Sequence, residues 1–123
     1  MKSFSDVSVP ALPGLEVVIA GPNRVVMKGT ITLQDGTSLG AFFRTLHARA
    51  GDDALSEVEL DVTGLRFVNS SAIRLFVDWA VWVHNDGAYK LRCRIDRRQT
   101  WQRTSFSALT AMVDDAIVVE EAS

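Results

Sequence analysis

The sequence predicts an α/β fold in a single domain, a small mixed β-sheet of about five strands covered by about three helices. Three observations lead there. Stretches in which apolar and polar residues alternate take turns with stretches in which apolar residues recur at helical spacing, in the order β, β, α, β, α, β, α, β. Clusters of Gly, Pro, Asn and Asp separate them. The length of 123 residues, 47% of them hydrophobic, suits one core and leaves no room for a second domain. There is no internal repeat and no low-complexity tract.

In order, residues 1–14 carry Pro10, Pro13 and several small polar residues, and read as an N-terminal arm; the domain proper is expected over 15–120. Leu15 to Ala20 is a short apolar run ending at the turn cluster Gly21-Pro22-Asn23. Arg24 to Thr30 is a second β-rich run, so the two predict a hairpin. Leu39, Phe42, Phe43 and Leu46 then fall at i, i+3, i+4 and i+7, a helix with Thr37 or Ser38 as its cap and Ala50-Gly51 at its end. Arg44, His47 and Arg49 are expected to face water. Val58, Leu60 and Val62 alternate with Glu57, Glu59 and Asp61, a strand that Thr63-Gly64 is expected to break.

From Ile73 the apolar residues recur at Phe76, Val77, Ala80 and Val81, the face of a second helix. Asn69, Ser70 and Ser71 stand just before it, where side-chain oxygens can accept the unpaired N–H groups of a first turn. Asn85-Asp86-Gly87 stops this helix. Tyr89, Leu91, Cys93 and Ile95 alternate with Lys90, Arg92, Arg94 and Asp96, a strand with one basic face. Arg97 to Met112 reads as a third helix with Trp101, Ala108, Leu109 and Met112 on one side, and Ala116 to Val119 as a last strand.

The stretch Leu60-Asp61-Val62-Thr63-Gly64-Leu65-Arg66-Phe67-Val68-Asn69-Ser70-Ser71-Ala72 resembles the signature of the STAS domain, the fold of bacterial anti-sigma-factor antagonists and of the cytoplasmic tails of sulfate transporters. In that family an apolar strand leads to an acidic-Ser-Ser-Gly cluster that opens a helix, and the element order from Leu15 to Val119 agrees. The resemblance implies a non-enzymatic regulatory protein in a partner-switching pathway of signal transduction and transcription regulation. An anti-sigma-factor-like protein kinase would phosphorylate Ser71, with Ser70 as the alternate, and a phosphatase would reset it. This sequence departs from the family at two positions: Asn69 stands in place of the usual Asp, and Ala72 in place of the usual Gly.

Two readings of the cluster stand at this stage, a phosphorylation site and a plain helix cap. A phosphoserine carries about −1.5 to −2 charges and is favourable at a helix N-terminus, so modification there would act on binding and leave the helix intact. Asn69, Ser70, Ser71, Ala72 and Arg74 form the expected partner surface, with Trp79 and Trp82 as its aromatic anchors or, in the alternative, as core residues. Lys90, Arg92, Arg94, Arg97 and Arg98 read either as the charged face of an edge strand or as a site for a small ligand or nucleotide. A constitutive scaffold that binds its partner without modification is the remaining alternative.

Other functions find little in the chain. Thirteen basic and 15 acidic side chains give a net charge of −2, which recommends neither nucleic acid nor an anionic membrane as partner. Cys93, the single cysteine, reads as a buried small hydrophobe that makes no internal disulfide. His47 and His84 are solitary, so neither a metal nor a nucleophile pair is indicated, and no cofactor is expected. Ser71 and His84 lie on one helix ~20 Å apart, too far to cooperate. With no signal peptide and no run of ~20 apolar residues, a cytoplasmic protein is expected.

Overall fold

The computed structural model describes residues 3–87 and 89–122. The turn at Pro22-Asn23 folds strand β1 (Leu15–Gly21) back on β2 (Arg24–Ile31) as an antiparallel pair, Val18 opposite Val26. After β2 the chain alternates helix and strand: α1 (Gly36–Asp52), β3 (Glu57–Val68), α2 (Ser70–Asp86), β4 (Lys90–Asp96), α3 (Thr100–Met112) and β5 (Ile117–Ala122). The sheet order is β1-β2-β3-β4-β5, and from β2 onward every pairing is parallel, as strands joined through helices require. Five strands and three helices in this arrangement are the mixed α/β architecture expected of the sequence.

One face of the sheet makes the core. Val25, Met27, Val58, Leu60, Leu91, Cys93 and Ile95 are buried there with Phe43 and Leu46 of α1, Phe76 and Trp79 of α2 and Phe106 of α3. The alternate side chains lie on the other face and are tied by charge: Arg24 pairs with Glu59 and with the buried Asp61, and Arg92 with Glu57 and Glu120. Because β2, β3 and β4 run the same way, the helix that follows each begins at the same edge of the sheet. The segment before β1 is docked to the domain: Phe4 is wholly buried in the core, and Arg49 holds the Ser3 carbonyl at 2.6 Å and the Asp6 carboxylate.

Several expectations are corrected. Helix α1 starts at Gly36, ahead of Thr37 and Ser38, because a 3-10 turn at Leu33–Asp35 runs straight into it; the Asp35 carboxylate turns back to accept from Thr32 N–H and Oγ1 at 2.8 and 3.2 Å. His47 and Arg49 do not simply face water. His47 lies between Tyr89 Oη at 2.8 Å and Asp86 at 2.5 Å. Tyr89 Oη also accepts from Trp79 Nε1 at 2.8 Å, a chain of polar contacts joining α1, α2 and the entry to β4.

Thr63-Gly64 does not end β3. The strand continues because β2 continues beside it, Gly29 opposite Leu65 and Ile31 opposite Val68, with two irregularities of register absorbing the turn-prone residues. Glycine is needed on both sides of that seam. A Cβ on Gly64 would come within 2.7 Å of Lys28 Cγ, and Gly29, at φ +108°, has the Gly14 carbonyl where a side chain would go.

Helix α3 begins at Thr100, not at Arg97, and buries Gln102, Phe106 and Leu109; Ala108 and Met112 are exposed. Strand β5 extends beyond Val119 to Ala122. Strand β4 is interior, between β3 and β5, so its basic residues are not those of an edge. Among the described residues no helix is long and apolar enough to cross a membrane.

Candidate functional site

The site stands at the junction of β3 and α2. Strand β4 pairs with β3 only as far as Asp61 opposite Arg94, whereas β3 runs on to Val68. The first turn of α3 takes the place of the missing strand. Gln102, wholly buried, donates to the Val62 and Leu65 carbonyls at 2.8 Å each, and its own carbonyl accepts from Asp96 N–H at 2.7 Å. Gln99 Nε2 donates to the Thr63 carbonyl at 3.3 Å and Trp101 Nε1 to that of Arg66 at 3.1 Å. Buried backbone acceptors must find donors, and here side chains of one helix supply them along the outer half of a strand. Asp61 belongs to the same support: buried rather than facing water, it accepts from Thr63 N–H and Oγ1 at 3.0 and 2.7 Å and from Arg24 at 3.1 Å.

From this braced strand the chain leaves at Asn69, whose N–H donates to the Ile31 carbonyl at 2.9 Å. Asn69 adopts φ −57° and ψ 141° and caps α2, its Oδ1 accepting from Ser71 N–H at 2.9 Å. Ser70 and Ser71 are the first two helical residues; both are exposed, and among the described residues neither hydroxyl has a hydrogen-bond partner. No acidic residue stands in the first turn of α2, so the positive end of its dipole is uncompensated there. Arg74 follows one turn on, exposed, and pairs with Asp78 at 3.6 Å.

Two neighbours escaped the sequence reading. Phe67 is 56% exposed, and Arg66 beside it is exposed with no ion-pair partner among the described residues. Taking the strand to end at Gly64 removed any expectation of which way residues 65–68 point; the signal available was an aromatic side chain two positions ahead of a capping cluster.

Not every predicted partner-surface residue reaches the site. Trp79 is wholly buried against Phe43, with ring centroids 4.6 Å apart, so it cannot anchor a partner. Ala72 is buried as well and offers no side-chain surface. Both corrections have one cause. The core face of α2 is Ala72, Phe76, Trp79, Ala80 and Val83, rotated from the Ile73, Val77 and Val81 stripe because the sheet and α1 flank the helix on adjoining sides. Trp82 is half-buried between His47, at 5.8 Å, and Arg44, at 5.6 Å, and lies ~16 Å along the helix from Ser71. Asn69, Ser70, Ser71 and Arg74 are the predicted residues that the fold brings together.

Three other candidate groups, Arg92, Cys93 and His84, are buried or occupied. Arg92 is held by two carboxylates, which push its guanidinium pKa up further and leave little of it for an anionic ligand. Cys93 is buried and its thiol pKa is pushed up by desolvation. His84 bonds Asp115 at 2.7 Å, at the end of the molecule opposite the serines. An open groove beside the site is lined by Lys28, Thr30, Thr63, Arg66 and Gln99.

No protein-family model matches the chain, and neither does any curated protein. Among solved structures, the crystal structure of an anti-sigma factor antagonist from Mycobacterium paratuberculosis superposes with a TM-score of 0.60 over 92% of this chain and 92% of that one, at 9% sequence identity. At that identity the likeness is one of fold, and the fold is the STAS type expected from the central motif.

Proposed function

We propose that this chain, folded as anti-sigma factor antagonists are, works as a non-enzymatic regulatory protein. In this reading it binds an anti-sigma-factor-like kinase through the β3–α2 junction and is switched by phosphorylation of Ser71, with Ser70 as the alternate acceptor. A phosphatase returns it to the binding form. The observation that carries the reading is the pair of free, exposed hydroxyls in an acid-free first turn, next to the exposed Phe67.

The chemistry of the switch follows from that placement. Asn69 supplies the cap through its side-chain oxygen, which leaves both serine hydroxyls available to a kinase. A phosphate on either one meets the positive end of the helix dipole, so the helix survives modification. What changes is the surface: a hydrated dianion stands where a partner's contact would have to exclude water, and binding is lost without unfolding. Phe67 is the apolar anchor of the unmodified surface and Arg74 its charged neighbour.

Protein isolated from its own cells and analysed by mass spectrometry should carry phosphate on Ser71 or Ser70. Ser71→Asp should weaken the partner complex at least tenfold, and Phe67→Ala should weaken it without changing stability. If neither serine is ever modified and Ser71→Asp binds as wild type does, the cluster is a helix cap and the protein a constitutive scaffold.

A further inference from the structure

The two ends of the sheet differ in charge: the one where the helices begin is the richer in base, although Asp35, Asp96, Glu120 and Glu121 also stand there, three of them paired with arginine. At the edge where α1, α2 and α3 begin, none of the three helices has an acidic residue in its first turn. Lys28, Arg66, Arg74, Arg97 and Arg98 cluster there, and Lys28, Arg66 and Arg97 have no ion-pair partner among the described residues. Glu16, opposite Lys28 in the β1–β2 register, is the acidic side chain of the groove at this edge. At the other edge, where the helices end, stand Asp52, Asp53, Asp86, Asp114 and Asp115, accompanied by His47, His84 and Lys90. The hydrogen bond from His84 holds the Asp115 carboxyl below its ordinary range, so it is ionised at neutral pH. Acids at helix C-termini and none in the first turns run against what helix stability favours, so the helices themselves do not account for this placement.

The apolar surface follows the same polarity. Of the described residues, the two most exposed large hydrophobics are Phe67, 56% exposed at the basic edge beside Arg66, and Met112, 63% exposed at the acidic edge two residues before Asp114. An aromatic ring and a thioether are mutually attractive, and each here is bordered by charge of the sign that complements the other's border.

We propose that the chain associates with a second copy of itself head to tail, Phe67 of one copy packing on Met112 of the next while Arg66 and Lys28 face Asp114 and Asp115. The contact joins two different surfaces, so every assembly that does not close into a ring keeps a free basic edge at one end and a free acidic edge at the other. The net charge of −2 opposes it only weakly. The inference does not rest on phosphorylation, but it gives phosphorylation a second effect: a phosphate on Ser70 or Ser71 would stand against the acids of the neighbouring copy.

Sedimentation of the whole chain tests it. In ~20 mM salt the average mass should rise between about 10 μM and about 1 mM protein, and the association should weaken at least tenfold at ~300 mM salt, where exposed charges are screened. Arg66→Glu blocks the basic edge; Met112→Glu, or Asp114→Arg with Met112 kept, blocks the acidic one. All three positions are exposed, and an unchanged far-UV spectrum will verify that the variants fold. Each variant alone should stay monomeric, whereas a mixture of Arg66→Glu with either acidic-edge variant should form a one-to-one dimer and nothing larger, since each brings one intact end. A wild type that stays monomeric throughout overturns the proposal. So does a singly blocked variant that still dimerises alone, which would mean a symmetric contact, or a mixture that fails to associate.

Discussion

Replacing Gln102 by Leu removes the brace that holds the outer half of β3 in place of a neighbouring strand. Leucine keeps most of the volume but deletes one amide that serves the Val62 and Leu65 carbonyls and the Asp96 N–H. All three backbone groups lose their partner where the glutamine is wholly buried. An orphaned buried group costs about 1–3 kcal/mol, so the three together cost about 3–9 kcal/mol, and the extra apolar carbon returns about 1 kcal/mol. The net loss is about 2–8 kcal/mol against a domain stability of about 5–15 kcal/mol, a large share of the total. Urea unfolding followed by tryptophan fluorescence measures the loss. Hydrogen exchange should place the loosening at residues 62–71 and at Asp96, leaving β1 and the rest of β4 protected. A loss below about 1 kcal/mol, or exchange that accelerates uniformly, would refute the claim that one side chain substitutes for a strand here.

Asn69→Ala should cost about 1 kcal/mol through the lost cap, whereas Asn69→Asp, which keeps the acceptor and adds a negative charge at the helix N-terminus, should match or exceed wild type; urea midpoints of the three proteins decide it. Tyr89, the single tyrosine of the chain, should produce an alkaline loss of stability. Burial pushes its phenol up to about 12, so ionisation favours the unfolded chain. Its contribution is therefore complete below about pH 10 and is lost as pH rises from about 10 to about 12, by about 2–3 kcal/mol in all. Absorbance at ~295 nm reports the ionisation directly. Tyr89→Phe should flatten that limb of the pH profile while lowering stability at neutral pH, because Trp79 Nε1 and His47 lose their common partner. An identical alkaline limb in Tyr89→Phe would overturn the assignment.

Much of this was legible in the chain because it is local. Alternation in residues 58–62 and 89–95, the 3.6-residue spacing of Leu39, Phe42, Phe43 and Leu46, and Asn69 ahead of α2 each report a preference that a short segment expresses by itself. The central motif, a sequence of thirteen residues, was enough to indicate the STAS-type architecture that the fold displays. The misreadings arose where a segment's environment is made by distant residues. Thr63-Gly64 looks like a break because glycine weakens a strand that has nothing beside it, but β2 lies beside this one through Val68. Trp79 can be read as a surface anchor or as core on a helix apolar over more than one side, and α1 decides it by bringing Phe43 against the ring.

The sequence by itself determined the order and type of the elements, the cap at Asn69 and the two serines behind it, since periodicity and capping act over a few residues. Tertiary structure alone decided which side of α2 is buried, that Gln102 stands in for a strand, that Phe67 is left outside, and how the charges are shared between the two ends of the sheet. Each of these depends on groups brought together from tens of residues apart, and the chemistry of a single segment carries no record of what will be packed against it.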